Sequence, residues 1–436
     1  MLLYNLRLAV KSLRRTPFLS ALAIGAIGLG IAVAVACTTI YYLLASDPLP
    51  GRSEQLHYVR LDSWNPARAW DDDRPELPPT QVTWRDAMAM LESEVPARKT
   101  ASFVANLVVR PEAADQRPFN LQTRLTTADF FPMFEVPFRY GGGWNAAADR
   151  DAEQVVVLSD EANQRIFGGG NSVGKKIWME RRNFTVAGVL APWRPPVRYF
   201  DTQGSPQGAP EDVFLPISLA PQMEVVSAGN SSGWNRVGDT YKERLESEIV
   251  WLQFWAELRD PAQKEAFQRW VDNYTDGQKQ LGRFGRPRNN LLQPMMDYLV
   301  ESEAVPPAAR SVMVISQLFL LVVAINLIGL LLGKFLAKAP EVAVRRALGA
   351  SRRAIFAQQI TECLLIGLLG GLLGLFAASG FLAGISRFLE RSTAYQLNFP
   401  MIAAGFGLAL LAGTIAGVYP AWRVCSEAPA NHLKTN

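Results

Sequence analysis

Cysteine is nearly absent, with three in 436 residues: Cys37, Cys363 and Cys425. None lies between residues 47 and 310, so that region cannot use disulfides and must be held by its core. His57 is the only histidine in the same region. With no cysteine in that region, a Cys–His nucleophile pair is missing, and His57 reads as a core or surface residue. Charge is absent from four long stretches, 16–46, 311–333, 363–386 and 392–422. Each exceeds the roughly 20 residues a helix needs to cross a bilayer. No carboxylate lies inside them, which argues against a proton- or ion-coupled carrier. A true phosphate loop is missing as well. Gly169-x-x-x-x-Gly174-Lys175 has the spacing, but Lys176 stands where Ser or Thr would hold magnesium, and the preceding segment reads as helix rather than strand.

What is present divides in two. Hydrophobic residues make up 49% of the chain at a mean hydropathy of +0.05. That average conceals four spans, expected at 17–46, 310–337, 362–387 and 399–422, and a polar region at 47–309 large enough for its own core. Residues 47–310 carry 30 Lys and Arg against 36 Asp and Glu, net −6; the remainder carries 14 against 4, net +10. The pI near 8.9 is therefore a membrane-orientation signal, and no nucleic-acid footprint is visible in it. Arg7, Lys11, Arg14 and Arg15 precede the first span, six positives fall between Lys334 and Arg353, and Arg423 and Lys434 follow the last. Segments 1–16, 338–361 and 423–436 are thus expected in the cytoplasm and the acidic region outside it. Arg387 at the end of the third span and Arg391 in the short outer loop 388–398, partly offset by Glu390, point the other way and are outnumbered.

The first segment, with Leu6, Leu8, Val10 and Leu13 among its cations, predicts an amphipathic helix on the inner surface that turns in at Pro17. A cleaved signal peptide is the rival reading, since Ala34-Val35-Ala36 resembles a cleavage site and, with Cys37, a poor lipoprotein box. The uncharged run is about twice the length of a signal core, and the other spans need it for topology, so retention is expected. In the polar region, a strand at 55–61, a helix at 83–94 and a strand at 100–110 precede a strand–helix–strand order that includes a helix at 160–167 and a strand at 183–190. A small α+β domain follows from that order. Asp71-Asp72-Asp73 reads as solvated charge in a loop at 65–79 rather than a cation site. Residues 193–210 read as a Pro- and Gly-rich loop and Phe214 to Ile217 as a buried edge strand. Residues 241–281 look helical, with a strand open around 248–258. There Trp251, Phe254, Trp255, Phe267, Trp270 and Tyr274 are expected to pack a core or face another subunit. Residues 282–290 read as a basic, flexible patch, and 291–300 lead back to the membrane. In the second span Asn326 is expected to face another helix or a backbone carbonyl. The first span is small-sided, and the third and fourth are dense in glycine.

Between the second and third spans lies Pro340-Glu341-Val342-Ala343-Val344-Arg345-Arg346-Ala347-Leu348-Gly349-Ala350-Ser351-Arg352-Arg353. A helix opening at Pro340 would set Val342, Ala343, Ala347 and Leu348 on one face and Glu341, Arg345, Arg346 and Arg352 on another. Gly349 reads as its stop and Ser351 as the cap of the next helix. Glu341 complements the positive end of the helix dipole, and Arg345 and Arg346 suit carboxylates on a docked partner. Two readings stand side by side: a surface helix that hands movement to a soluble partner, or a loop whose arginines only set orientation.

Residues 341–353 with Glu362, together with Asp129-Phe130-Phe131 through Gly174-Lys175, resemble the MacB-type permeases of ABC transporters, with their FtsX-like and lipoprotein-releasing relatives. The tail Gly417-Val418-Tyr419-Pro420-Ala421-Trp422-Arg423 is similar to that family's closing motif. The resemblance implies a membrane protein of four transmembrane helices with a large α+β extracytoplasmic domain between the first and second. It implies a non-enzymatic subunit of the bacterial inner membrane, in contact with lipid and paired with an identical or homologous permease. A cytoplasmic ABC ATPase dimer would drive it, with ATP and magnesium held on that partner and no cofactor or metal in this chain. The implied ATPase-coupling residues are Glu341, Val342, Val344, Arg345, Arg346, Leu348, Gly349, Ala350, Ser351 and Arg352. With only about 16 residues before the first span and no Walker A, a separate ATPase chain is expected. The implied work is mechanotransmission to the outer domain for export of a peptide, lipophilic small molecule or lipoprotein, with a periplasmic adaptor and outer-membrane channel as further partners. The alternative is an FtsX-like regulator of periplasmic partners that transports nothing.

Overall fold

The computed structural model describes residues 2–110, 117–388 and 397–426. The outer-loop charges Glu390 and Arg391 and the tail residue Lys434 lie outside the described residues. The chain forms two units, one of residues 47–304 and one of residues 1–46 with 305–436.

Helix α1 (Leu2–Arg15) ends on Arg14 and Arg15, cations suited to the negative end of its dipole, and Pro17 opens α2 (Pro17–Ala45) in a first turn where no amide partner is needed. The inserted domain begins with β1 (Leu56–Arg60) and β2 (Val82–Thr83). Thr83 caps α3 (Trp84–Leu91), its Oγ1 accepting from the Asp86 amide at 3.2 Å. Then come β3 (Arg98–Arg110), β4 (Phe119–Thr126), α4 (Phe130–Met133), β5 (Phe138–Gly141), α5 (Ala146–Arg150) and β6 (Val155–Leu158). Next are α6 (Asp160–Phe167), β7 (Lys176–Met179), β8 (Arg182–Leu190), β9 (Val213–Pro216), α7 (Leu219–Met223) and α8 (Tyr241–Glu246). The domain closes with β10 (Val250–Glu257), α9 (Pro261–Gln280), β11 (Leu291–Pro294) and α10 (Met295–Glu301).

These strands make one sheet in the order β11-β1-β10-β3-β4-β9-β6-β8-β5, with β2 on β10 and β7 bridging β3 and β8. Strand β3 is its spine, antiparallel to β10 at one end (Trp255 opposite Thr100) and to β4 along the other (Phe103 opposite Leu125). The expected edge strand near Phe214 is instead internal. β9 lies between β4 and β6, parallel to β4, because Val213, Phe214 and Leu215 are apolar on both faces and can be covered from both sides. The long helical reading of 241–281 breaks at β10, where eight consecutive residues are buried, and a strand pattern apolar on both faces is hard to tell from helix. Trp251 and Trp255 pack into the core, stacking or crossing Trp84, Phe103 and Tyr58. Segment 282–290 is pinned rather than flexible, since Arg283 pairs with Asp86 and Glu248 at 2.8 and 2.6 Å and Arg286 with Asp62 at 2.9 Å.

The Asp129-Phe130-Phe131 motif forms an aromatic joint. Phe130 and Phe131 are buried, edge-on to one another, and pack on Phe134, Phe200, Phe214 and Trp144. Asp129 accepts from the Lys99 amide at 3.1 Å, which fixes α4 to the start of β3. The loop at 193–210 supplies a buried ion cluster to the same region. Arg124 on β4 pairs with Asp201 and Glu211 at 2.6 Å each, and Arg198 pairs with both carboxylates. Burial works against the Arg124 charge, but the two carboxylates outweigh it and raise its pKa. Burial likewise opposes ionised Glu211, and the two guanidiniums hold it below the usual carboxylate range.

The second unit resumes with α11 (Pro307–Leu336), α12 (Ala339–Ala347), α13 (Arg352–Phe388) and α14 (Phe399–Ser426). Helices α2, α11, α13 and α14 are long and apolar enough to cross a membrane. Glycine sets their spacing. A Cβ on Gly370 of α13 would lie 1.7 Å from Ile27 Cγ2 of α2, and one on Gly413 of α14 would lie 3.1 Å from the Gly367 Cα, so the backbones approach closely at both seams. Asn326, expected to face another helix or a backbone carbonyl, faces away from the other helices of its own chain. It is exposed on α11, on the same side as Val322, Ile325, Gly329 and Gly333, because Val323 and Leu327 take the inward positions.

Candidate functional site

The segment between α11 and α13 folds as a short helix with a defined start and stop. Pro340 lies in the first turn of α12, Gly349 takes φ +98°, a left-handed conformation open to glycine at low cost, and Ser351 Oγ accepts from the Ala354 amide at 3.2 Å to cap α13. Val342 and Ala343 are buried against the helical unit. Ala347 and Leu348, expected on that same face, point the other way: Leu348 is 83% exposed and Val344 half-exposed. The helix ends at Ala347 and the turn into Gly349 rotates Leu348 off the inward stripe.

The two arginines expected to reach a partner are already engaged. Arg345 pairs with Glu341 at 2.6 Å and donates to Gln358 of α13 at 3.0 Å. Arg346, half-buried, donates to the Cys425 carbonyl of α14 at 3.3 Å. Glu341 also pairs with Arg15 of α1 at 3.2 Å. Arg352, Arg353, Ser351 and Gly349 are exposed, and Ala350 is half-buried. The residues expected to couple to an ATPase therefore separate into Glu341, Val342, Arg345 and Arg346, which lock α12 to α1, α13 and α14, and Val344, Leu348 and Arg352, which face outward.

Beneath α12 lies an ion cluster absent from the sequence reading. Lys334 of α11 and Glu362 of α13 pair at 2.6 Å, each only 1% exposed. Lys338 pairs with the same carboxylate at 3.2 Å and donates to Ser12 of α1, while Lys334 donates to Ser20 of α2 at 2.8 Å. Glu362 is thus a buried carboxylate inside α13, just outside the charge-free interval. It is occupied by two ammonium groups, a structural tie rather than a free carboxylate on an ion path. Lys334 and Lys338 are one helical turn apart at the end of one apolar run, and Glu362 stands at the mouth of the next; that spacing was the available signal.

In the inserted domain the other singled-out residues serve the fold. His57 is buried on β1, near the Gln55 carbonyl at 3.1 Å, and burial lowers its pKa. Asp71 accepts from the Asp73 amide and from Arg74 within its own loop. The Gly169–Lys175 loop follows helix α6 and is closed by Asn163, which donates to the Gly170 carbonyl at 2.9 Å and accepts from Ser172 at 2.6 Å. Among the described residues no group of three His, Cys, Asp or Glu side chains is placed to hold a metal ion.

The chain thus has four helices long and apolar enough to cross a membrane, a large α/β domain between the first and second, and a short basic helix between the second and third. The family profile described as the MacB-like periplasmic core domain matches residues 20–274, more than half the chain, and that described as the FtsX-like permease C-terminal matches residues 313–429. The chain belongs to the MacB/FtsX-like ABC permease family. It is 24% identical over 318 residues to the pyoverdine export ATP-binding/permease protein PvdT of Pseudomonas syringae pv. syringae, covering 70% of this chain and 41% of that one. It is 23% identical to the macrolide export ATP-binding/permease protein MacB of Bdellovibrio bacteriovorus, over 64% of this chain and 38% of that one. The chain thus spans about two fifths of the length of these relatives. With the uncharacterized ABC transporter permease YvrN of Bacillus subtilis it shares 21% identity over 99% of this chain and 100% of that one.

Proposed function

We propose that this chain is the membrane subunit of an ABC transporter, that its ATPase is a separate cytoplasmic chain, and that α12 is the element the ATPase grips. The observation that carries the reading is the outward apolar pair Val344 and Leu348 on a helix whose polar residues lock it to the membrane unit. An exposed leucine at a helix end offers a knob for a hydrophobic pocket, and Arg352 and Arg353 beside it suit a carboxylate rim. Force applied there passes into α13 through Arg345–Gln358 and into α1 through Glu341–Arg15. The likeness over full length to a chain named only as a permease supports a separate ATPase.

The exposed stripe of α11 supports a second permease subunit. Gly329 and Gly333 have open space above them, and Asn326 lies one turn away. A helix face with a Gly-x-x-x-Gly spacing and an amide suits close packing and hydrogen bonding against another helix in lipid. With the termini and α12 in the cytoplasm, the inserted domain works beyond the inner membrane, in export of a peptide, lipophilic small molecule or lipoprotein. Relatives that export pyoverdine and macrolides favour a substrate of that kind.

Leu348→Glu tests the docking. The variant is expected to insert and pair normally while losing copurification of the ATPase and stimulated ATP hydrolysis. Wild-type copurification and stimulation would overturn the reading.

A further inference from the structure

The polar cluster beneath α12 holds more positive charge than it neutralises. Lys334 and Lys338 share one carboxylate, Glu362, and Arg15 and Arg345 share another, Glu341. Lys11 has no ion-pair partner among the described residues and lines the same space. Five cations thus face two carboxylates. Two of the five, Lys334 and Lys338, are drawn largely out of water, where an unmatched ammonium is costly. Burial pulls Lys338 below its ordinary pKa, Glu362 opposes that shift, and Lys334 adds to it.

Four of the cations, Lys11, Arg15, Lys338 and Arg345, and both carboxylates line a cavity of about 80 Å³. The volume is two to three times a water molecule's share of the liquid, about 30 Å³, which suits a phosphate group. Gln359 forms part of its wall; the residue is 3% exposed and its Oε1 has no partner. That amide oxygen needs a hydrogen-bond donor, while the surrounding ammonium and guanidinium groups need an acceptor with negative charge. A hydroxyl-bearing phosphate ester supplies both. The surroundings favour a lipid as its source, since Tyr4, Leu6 and Val10 of α1 and Phe18 of α2 are exposed beside the cations, the pattern of a helix lying in a bilayer interface.

We propose that this cavity binds the headgroup of an anionic glycerophospholipid, with Lys11, Arg15 and Lys338 facing the phosphate and Gln359 accepting from a headgroup hydroxyl. The site does not depend on the docking of an ATPase and is tested without one. The purified full-length chain in detergent is titrated with dihexanoyl phosphatidylglycerol, dihexanoyl phosphatidylcholine and glycerol 3-phosphate, binding being read by calorimetry. Saturable binding of the glycerol lipid is expected, about tenfold or more tighter than the choline lipid. In a Lys11→Ala, Arg15→Ala variant that affinity should fall by about tenfold or more while the melting temperature is unchanged, since both side chains are exposed. Equal affinity for the two lipids, or unchanged affinity in the double variant, would overturn the proposal. Glycerol 3-phosphate binding as tightly as the lipid would overturn the lipid assignment in favour of a soluble ester.

Discussion

Each unit of the chain buries a cluster of charge, and the two clusters obey different rules. In the inserted domain Arg124 and Arg198 meet Asp201 and Glu211, two cations against two anions, capped by the ring of Phe200 at 5.0 Å from the Arg124 guanidinium. In the helical unit Lys334 and Lys338 meet Glu362 alone. A balanced cluster can be sealed, because each charge answers another at short range in low dielectric. An unbalanced one needs something more, whether water, a ligand or motion. The sealed cluster pins a long loop to a sheet, and the unbalanced one sits where α1, α2, α11 and α13 meet beside the helix proposed to receive force.

The sharpest way to break this comparison is to unbalance the sealed cluster. Arg124→Met would leave Asp201 and Glu211, both buried, sharing Arg198 alone. The expected loss is about 3–5 kcal/mol of inserted-domain stability, the usual cost of removing one partner from a buried pair. It is read by urea unfolding of the full chain through the fluorescence of buried Trp251 and Trp255. A loss below 1 kcal/mol would show that water already reaches the cluster.

A single acid sharpens the same point at smaller scale. Asp149 accepts from the Ala128 amide and the Trp144 indole N–H, both at 2.7 Å, and no cation pairs with it among the described residues. Burial pushes its pKa from 3.8 up to about 6, with the two hydrogen bonds opposing the rise. Between those values the folded domain keeps a proton that the unfolded chain has released. Its stability contribution is therefore present below pH 4 and lost as pH rises to 6, up to about 3 kcal/mol for a shift of that size. Asp149→Asn should flatten this slope. The difference between wild type and variant isolates it from His57, whose lowered pKa gives a slope of opposite sign, stability falling as pH drops below 6.5. Parallel pH curves for the two proteins would show that Asp149 is charged in the fold.

The legibility of the two units in sequence follows the same physics. Bilayer-length apolar runs announce themselves, so four spans and an inserted α+β domain were readable, as were the helix at Asp160–Phe167, the glycine stop at Gly349 and the Ser351 cap. What escaped was whatever depends on a partner distant in sequence. β9 gives no sign of lying between β4 and β6, since those contacts come from strands 90 and 55 residues upstream in the register pairs Thr126–Pro216 and Leu158–Val213. Arg283 and Arg286 sit in a Gly- and Pro-rich segment that looks mobile until Asp86, Glu248 and Asp62 arrive from elsewhere. In α12 the composition marks the helix, but not the contacts its arginines make within the chain. Arg345 and Arg346 are held within the chain, and only the positions of Gln358 and the Cys425 carbonyl reveal it.

The smallest expected effect is the one that best separates the two clusters. Lys334→Met removes a buried ammonium just as Arg124→Met removes a buried guanidinium, yet Glu362 would keep Lys338 at 3.2 Å and the cluster would become neutral. Methionine roughly fills the lysine's volume, and replacing a buried charge by a well-packed apolar side chain is often neutral when no opposite charge is stranded. The helical unit should therefore change in stability by about 1 kcal/mol or less, measured by titrating the full chain from mild detergent into sodium dodecyl sulfate. Glu362→Gln, by contrast, strands two ammonium groups and should cost roughly 2–3 kcal/mol in the same titration. If Lys334→Met proves as damaging as Glu362→Gln, the three groups act as one sealed unit, and the division between a closed cluster in the inserted domain and an open one in the helical unit fails.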